Sequence, residues 1–285
     1  MVIFHRFIFV IGLLWISGNI ISQTNLLTYT KTEDSIRQYF QIIAKSRNDI
    51  EKKRINNSIE RLFGDILNES GSFSYPFDSL KNIGHLYSPD KIFRLITWNV
   101  SFENGTFSYF GYIQYNTGKT KAYKYKKLIE KTNEIQDPEN SVLSSSKWYG
   151  GLYYKILQNK VDNRSYYTLL ALQFHDQLIS RKFIDVLYFD EWENPVFGAP
   201  LFHVENDKIK HRVIFQYSAS IMMSLRYDEK LQTIVFDHLS PSEYKYIGEY
   251  AFYGPDLSFD GLIFRKKFWV LQTKMDMRNP DRPVR

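Results

Sequence analysis

The chain contains no cysteine. This absence excludes disulfide bonds, thiolate metal sites and a cysteine nucleophile. A chain of 285 residues without disulfides must be stabilised by its hydrophobic core alone. Among proteins that leave the cytoplasm, this composition is more typical of a bacterial envelope protein than of a small eukaryotic extracellular domain.

Long apolar runs are absent after the first 22 residues. Residues 1–22 contain a short basic segment, an apolar stretch from Phe7 to Ile16 and then small and polar residues, which is the pattern of a secretory signal peptide. The apolar stretch is too short to span a membrane comfortably. We therefore predict cleavage after Ser22 and no transmembrane span in the mature chain. The predicted location is the periplasm, the outer-membrane surface or the extracellular space, and an uncleaved membrane anchor is the alternative.

The motifs of several common enzyme classes are also missing. The sequence has no G-x-S-x-G and no H-E-x-x-H, and the segment NTGKT at residues 116–120 lacks the upstream glycine of a phosphate-binding loop. No motif therefore indicates a serine hydrolase, a zinc protease or a nucleotide-binding protein, and we predict no cofactor.

The charge is mildly basic, with a formal net value of +6. The densest basic run, Lys119–Lys131, alternates lysine with tyrosine, which is typical of an exposed edge strand. A patch for an anionic partner is the alternative interpretation of this run. Because the basic residues are otherwise dispersed, we predict no nucleic-acid partner.

Aromatic residues are abundant, at 17% of the chain, and they favour β-strands. Residues 32–70 instead place apolar side chains at helical spacing, with Thr32 as the expected N-cap. From residue 90 the apolar period changes to two, and Asn104-Gly105 between alternating runs predicts a β-hairpin. We predict a signal peptide at 1–22, a helical segment at 23–75 and an antiparallel β domain at 90–279.

The predicted fold class is mainly β (α+β). Strand-like segments recur without intervening helices after Trp148, which indicates an antiparallel meander. The helical segment is expected to pack on this meander, which closes into a barrel or folds into a two-layer sandwich. A propeller is the weaker alternative, because no repeat of blade length is present.

Five motifs between Trp148 and Asn279 resemble, in type and order, a family of uncharacterised proteins secreted by Bacteroidetes. They are WYGGLYYKIL…YYTLLALQF, RKFIDVLYF…FG…F, RVIFQYSASIMMSLRY, IVFDHLSP and YGPDLSFDG. The resemblance does not cover the helical segment. It implies a bacterial, secreted and envelope-associated protein, and it carries over no catalytic residue.

One cluster of acids and a histidine is a candidate catalytic site. Asp237 and His238 end an apolar strand, and Asp256 and Asp260 follow within a short stretch of chain. If the chain folds back, these four side chains share one end of the β domain, where neighbouring carboxylates can act in general acid–base chemistry. The alternative is that Asp237 and Asp256 cap turns through backbone N–H groups.

The same stretch partly matches a calcium loop. Asp256, Ser258 and Asp260 place oxygen ligands at alternating positions before Gly261, but Lys267 stands where a bidentate glutamate is needed. The preferred interpretation is a structured turn, with Gly261 at positive φ.

The sequence therefore favours a non-catalytic binding or interaction protein. The predicted partner is an envelope protein, an apolar ligand or a glycan, bound through aromatic surface. The alternative is a hydrolase-type enzyme that uses the acid and histidine cluster.

Overall fold

The computed structural model describes residues 4–69, 71–118, 122–205 and 208–276. The chain forms two compact units, Met1–Asn82 and Ile83–Arg285. Among the residues that the structure describes, no helix combines the length and the apolar character needed to cross a bilayer.

The N-terminal unit consists of two helices that pack against each other, α1 (Phe4–Lys45) and α2 (Asp49–Asn68). The side chain of Asn48 accepts hydrogen bonds from the N–H groups of Ile50 and Glu51, at 2.9 and 3.1 Å, and so caps α2. Most of the apolar side chains at the helical spacing are buried in this unit, namely Ile36, Phe40, Ile43, Ile55, Ile59, Phe63, Ile66 and Leu67, whereas Ile42 is 43% exposed.

The expected cap at Thr32 is wrong, because Thr32 lies inside α1. No proline or glycine separates Thr32 from the preceding residues back to Gln23, so nothing in that stretch breaks the helix. The backbone of residues 4–22, the predicted signal peptide, belongs to the same helix.

The second unit is formed by β-strands. The first four are β1 (Gly84–Tyr87), β2 (Phe93–Ser101), β3 (Phe107–Tyr115) and β4 (Lys124–Ile129). The next five are β5 (Leu143–Ser144), β6 (Leu152–Val161), β7 (Arg164–Phe174), β8 (Ile179–Phe189) and β9 (Pro195–Phe197). The remaining strands are β10 (Phe202–Glu205), β11 (Lys208–Lys210), β12 (Val213–Ser218), β13 (Leu225–Asp228), β14 (Thr233–Pro241), β15 (Tyr253–Arg265) and β16 (Phe268–Gln272).

These strands form three sheets. The first has the order β1-β2-β3-β4, the second β5-β9-β8-β7-β6 with β12 also paired to β8, and the third β11-β10-β16-β15-β14-β13. The pairing is antiparallel except between β10 and β16, which are parallel. The mainly β class is thus confirmed, and the described strands form open sheets that fit a sandwich rather than a closed barrel.

The second sheet lies between the other two, because it contributes to two separate cores. Leu169 and Phe183 pack with Phe93 and Ile113 of the first sheet. Their strand neighbours point the opposite way, so that Leu170 and Ile184 pack in a second core with residues of the third sheet. The sandwich therefore has three layers, and the central strands are apolar on both faces.

Two local predictions in the first sheet are confirmed. The turn at Asn104-Gly105 connects β2 and β3, and Gly105 has a φ of 78°, which glycine adopts without strain. The lysine-rich run supplies β4, the edge strand of its sheet. Lys124, Lys126 and Lys127 are exposed there, as expected for a strand that must not pair with another chain.

Candidate functional site

A polar cleft of about 520 Å³ opens on the surface of the β unit. Its walls are the loop that follows β4, the β7–β8 turn, strands β8 and β12, and the short 3-10 helix Tyr250–Phe252. The lining contains charged, neutral polar and aromatic side chains, including Asp137, Glu139, His175, Arg181, Lys210, Thr132, Asn133, Gln216, Tyr149 and Tyr250.

The loop after β4 is held in place by hydrogen bonds to the start of β12. The carbonyl oxygen of Glu139 accepts from the backbone N–H groups of His211 and Arg212, at 2.8 and 3.0 Å. The carboxylate of Glu139 pairs with Lys210 at 2.9 Å and also accepts from the N–H of Ile214. These contacts keep one wall of the cleft fixed without a regular secondary-structure element.

A buried ion pair lies behind this wall. Arg212 Nη2 is 2.9 Å from Asp185 Oδ1, and both side chains have 0% exposure. The Arg212 guanidinium also donates to the carbonyl of Pro138 and lies over the ring of Tyr149, 5.3 Å from its centroid. Burial raises the pKa of Asp185, and the Arg212 charge opposes this rise. The pair thus connects the core of the central sheet to the loop and to Tyr149, which lines the cleft.

Arg181 also lines the cleft, and it donates hydrogen bonds to neutral side chains. Its Nε donates to Gln216 Oε1 at 2.8 Å, and its Nη1 donates to Gln173 Oε1 at 3.2 Å. The Gln173 amide in turn donates to the carbonyl of Gly150, so the acceptor is itself fixed. Among the described residues, no carboxylate lies within ion-pair distance of Arg181.

The other ionisable groups of the cleft are already engaged. Burial and the charge of Arg181 lower the pKa of His175, which favours the neutral imidazole at pH 7. Glu139 is neutralised by Lys210. Asp137 is exposed and accepts from the Asn140 amide at 2.9 Å. Arg181 is therefore the group in the cleft that is best placed to attract an anionic ligand.

An aromatic loop adjoins the cleft, and it consists of residues 242–253. The rings of Tyr246 and Phe252 stack at 3.9 Å with an interplanar angle of 12°. Tyr244 of this loop is 88% exposed, whereas Tyr250 is 38% exposed and lines the cleft. Tyr250 therefore belongs to both features and makes them one continuous surface.

Of the candidate residues from the sequence, the structure brings together His238 and Asp260. His238 Nδ1 lies 2.7 Å from Asp260 Oδ2. The Asp260 side chain is only 8% exposed, and its other oxygen accepts from the N–H of Lys274 at 2.9 Å. The imidazole is 47% exposed, so this pair is accessible from solvent.

The other candidates serve local structure. Asp237 accepts from the N–H of Ser224 at 2.6 Å. Asp256 accepts from the N–H and the hydroxyl of Ser258, and the hydroxyl contact lowers the pKa of Asp256. Within the described ranges, no three histidine, aspartate or glutamate side chains are grouped so that they could hold a metal ion.

The turn expected at Gly254–Gly261 is wrong, because β15 runs through the whole stretch. The strand carries an irregularity opposite His238, and it is Leu257, 92% exposed, that has positive φ, at 72°. Gly261 is in the extended strand and does not have positive φ. The actual turn lies between β15 and β16, where Lys266 has a φ of 57°.

The sequence analysis missed the cleft. Its walls come from segments far apart in the chain, and none of Asp237, His238, Asp256 and Asp260 lines it. The one local signal was Arg181, which lies next to Lys182 in strand β8, and without its spatial neighbours it has the pattern of an ordinary surface residue. A comparison with protein-family models, curated proteins and solved structures finds no match for the chain.

Proposed function

We propose that this chain is an exported bacterial envelope or secreted protein that binds a glycan without transforming it, with the cleft as its binding site. The observation that carries the proposal is the continuity of the polar cleft with the aromatic loop at Tyr250. Export is supported by the signal-peptide pattern of residues 1–22 and by the resemblance to secreted Bacteroidetes proteins.

A glycan fits the chemistry of this surface. Sugar hydroxyl groups need both donors and acceptors, which Thr132, Asn133 and Gln216 supply. The C–H faces of a sugar ring are apolar and pack well on aromatic rings, which combine a large apolar face with a polar edge. A purely apolar ligand would leave the polar lining of the cleft without partners, which is costly.

The first test concerns Tyr250. We expect Tyr250→Ala to weaken the binding of neutral oligosaccharides by about tenfold, since removing a stacked ring costs on the order of 1 kcal/mol or more. The measurement is isothermal titration calorimetry with a panel of defined oligosaccharides. Tyr244→Ala is the matched control, because this tyrosine lies in the same loop but outside the cleft. If no oligosaccharide binds, or if both variants bind equally weakly, the cleft is not a glycan site.

The second candidate function is hydrolysis, and the contact between His238 and Asp260 favours it. A carboxylate on Nδ1 orients an imidazole so that Nε2 can act as a general base. Under this alternative, the protein would cleave an ester or glycoside, and His238→Ala would abolish the activity.

For the hydrolase alternative we expect a negative result. The bound oligosaccharides should be recovered intact after prolonged incubation, and chromogenic esters and glycosides should be turned over no faster than in buffer. His175→Ala provides the control for general effects of removing a histidine. Turnover that is lost in His238→Ala and retained in His175→Ala would establish the enzyme and refute the non-catalytic proposal.

A further inference from the structure

Arg181 differs from the other cations around the cleft in its hydrogen-bond partners. Arg212 pairs with Asp185, and Lys210 pairs with Glu139. Arg181, in contrast, donates to the neutral amide oxygens of Gln173 and Gln216. Two neutral acceptors orient a guanidinium but do not compensate its charge.

This arrangement has an energetic cost in the free protein. Arg181 is half-buried, so its charge has lost part of its hydration, and its glutamine acceptors are neutral. Burial and the Arg181 charge lower the pKa of His175, and the same charge contributes to the lowered pKa of Asp176, so this carboxylate offsets only part of the guanidinium charge from a distance. An anion that entered the cleft would relieve this cost and gain a preformed partner.

The geometry leaves donors for such an anion. A guanidinium carries five N–H groups. Two are used by the glutamines, and Arg181 also contacts the hydroxyl of Tyr149. By this count two donors remain for the oxygens of an oxyanion, the kind of acceptor to which a planar guanidinium makes paired hydrogen bonds.

We propose that Arg181 binds the oxyanion of an acidic glycan, either the carboxylate of a uronic acid or a sulfate ester. This inference rests on the proposed function and narrows it to a class of ligand. The sugar ring next to the anion packs toward Tyr250, and the oxyanion lies at Arg181 in the same cleft. Asp137 and Glu139 also line the cleft, and their carboxylates repel negative groups of a ligand. Binding is therefore limited to glycans whose negative groups lie away from these two side chains.

The test is calorimetric titration of the full chain with matched pairs of probes. Trigalacturonate is compared with its methyl ester, and galactotriose carrying one sulfate ester is compared with unmodified galactotriose. We expect at least one acidic member to bind about tenfold more tightly than its neutral partner, as for charge-assisted paired hydrogen bonds. The member that gains affinity identifies the source of the oxyanion.

Three variants show whether Arg181 causes the preference for the acidic probes. Arg181→Gln should remove the preference for the acidic probe, measured as the ratio of the dissociation constants of the neutral and the acidic probe. Arg181→Lys should retain part of the preference, because it keeps the charge but not the paired donors. Arg265→Gln removes the same charge from an exposed position outside the cleft and should change nothing. Thermal melting of each variant confirms that it is folded.

The outcomes separate this inference from the proposed function. If acidic and neutral probes bind equally, or if Arg181→Gln keeps the preference, the inference is overturned. The proposed function then still stands, provided that Tyr250→Ala weakens binding. If none of the four probes binds, and no member of the wider oligosaccharide panel binds either, both fail.

Discussion

Replacing Arg212 by methionine is expected to lower the free energy of unfolding of the β unit by about 3–5 kcal/mol. The variant leaves Asp185 fully buried without a positive partner. Asp185 Oδ1 also accepts from the N–H of Val186 at 2.8 Å, but among the described residues Oδ2 has no hydrogen-bond partner, so a backbone donor is left to stabilise the charge. The variant also removes the donor to the carbonyl of Pro138, which helps to hold the loop along the cleft.

The measurement is urea denaturation followed by tryptophan fluorescence. Trp98, Trp148 and Trp269 are all fully buried in the β unit, so their emission reports its unfolding. Lys155→Met is the matched control, because Lys155 pairs with Glu229 at 2.8 Å on the surface. Exposed pairs contribute about 0–1 kcal/mol, and the control should lie in that range.

A double variant tests the physical reason. Asp185→Leu combined with Arg212→Met removes both charges, so it should be less destabilised than Arg212→Met alone. If the double variant loses as much stability as the two single variants added together, the cost comes from packing and not from an uncompensated charge. A loss below about 1 kcal/mol for Arg212→Met would contradict the expectation altogether.

Gly261→Val is expected to destabilise the β unit by about 1–3 kcal/mol, through overpacking. Gly261 faces Met275 and Thr233 so closely that a β-carbon would lie 2.2 Å from Met275 Sδ and 2.8 Å from Thr233 Cγ2. Gly261→Ala should have a smaller effect, because the Met275 side chain can move whereas a branched residue also crowds Thr233. Denaturation by urea gives both values.

A second substitution distinguishes crowding from backbone strain. Met275→Ala removes the nearest atom, so Gly261→Val should be less harmful in that background than in the parent chain. If Gly261 required positive φ, trimming Met275 would bring no relief, and Gly261→Asn would be the best tolerated variant. Equal losses in both backgrounds would therefore refute the steric explanation.

The sequence correctly predicted those features that depend on neighbours in the chain. The turn at Asn104-Gly105 needs only a residue that tolerates positive φ between two alternating runs. The apolar spacing of residues 55–67 likewise specifies α2, because a helix face depends on contacts three and four residues apart. The contact between His238 and Asp260 was partly foreseen, since their strands are consecutive in the chain.

The predictions that were wrong concern residue types that occur at a position for either of two physical reasons. A glycine after aspartate is typical of a turn, and that was the interpretation of Gly261. The structure shows that glycine is needed there because Met275 crosses close to the strand, a contact that local sequence does not encode. Thr32 is likewise a good N-cap residue, but a cap requires that the helix begins there, and α1 begins earlier.

The sequence by itself determined the mainly β class, the helical N-terminal segment and the lysine-rich edge strand, because hydrophobic period and local propensity act over a few residues. Only the tertiary structure decided that the central sheet is covered on both faces, that Asp185 and Arg212 form a buried pair, and that Arg181 lines a cleft and donates to two glutamines. These features join segments that are distant in the chain. They depend on which sheets stack and on which charges lose their hydration together, and such pairings leave no periodic signal in the sequence.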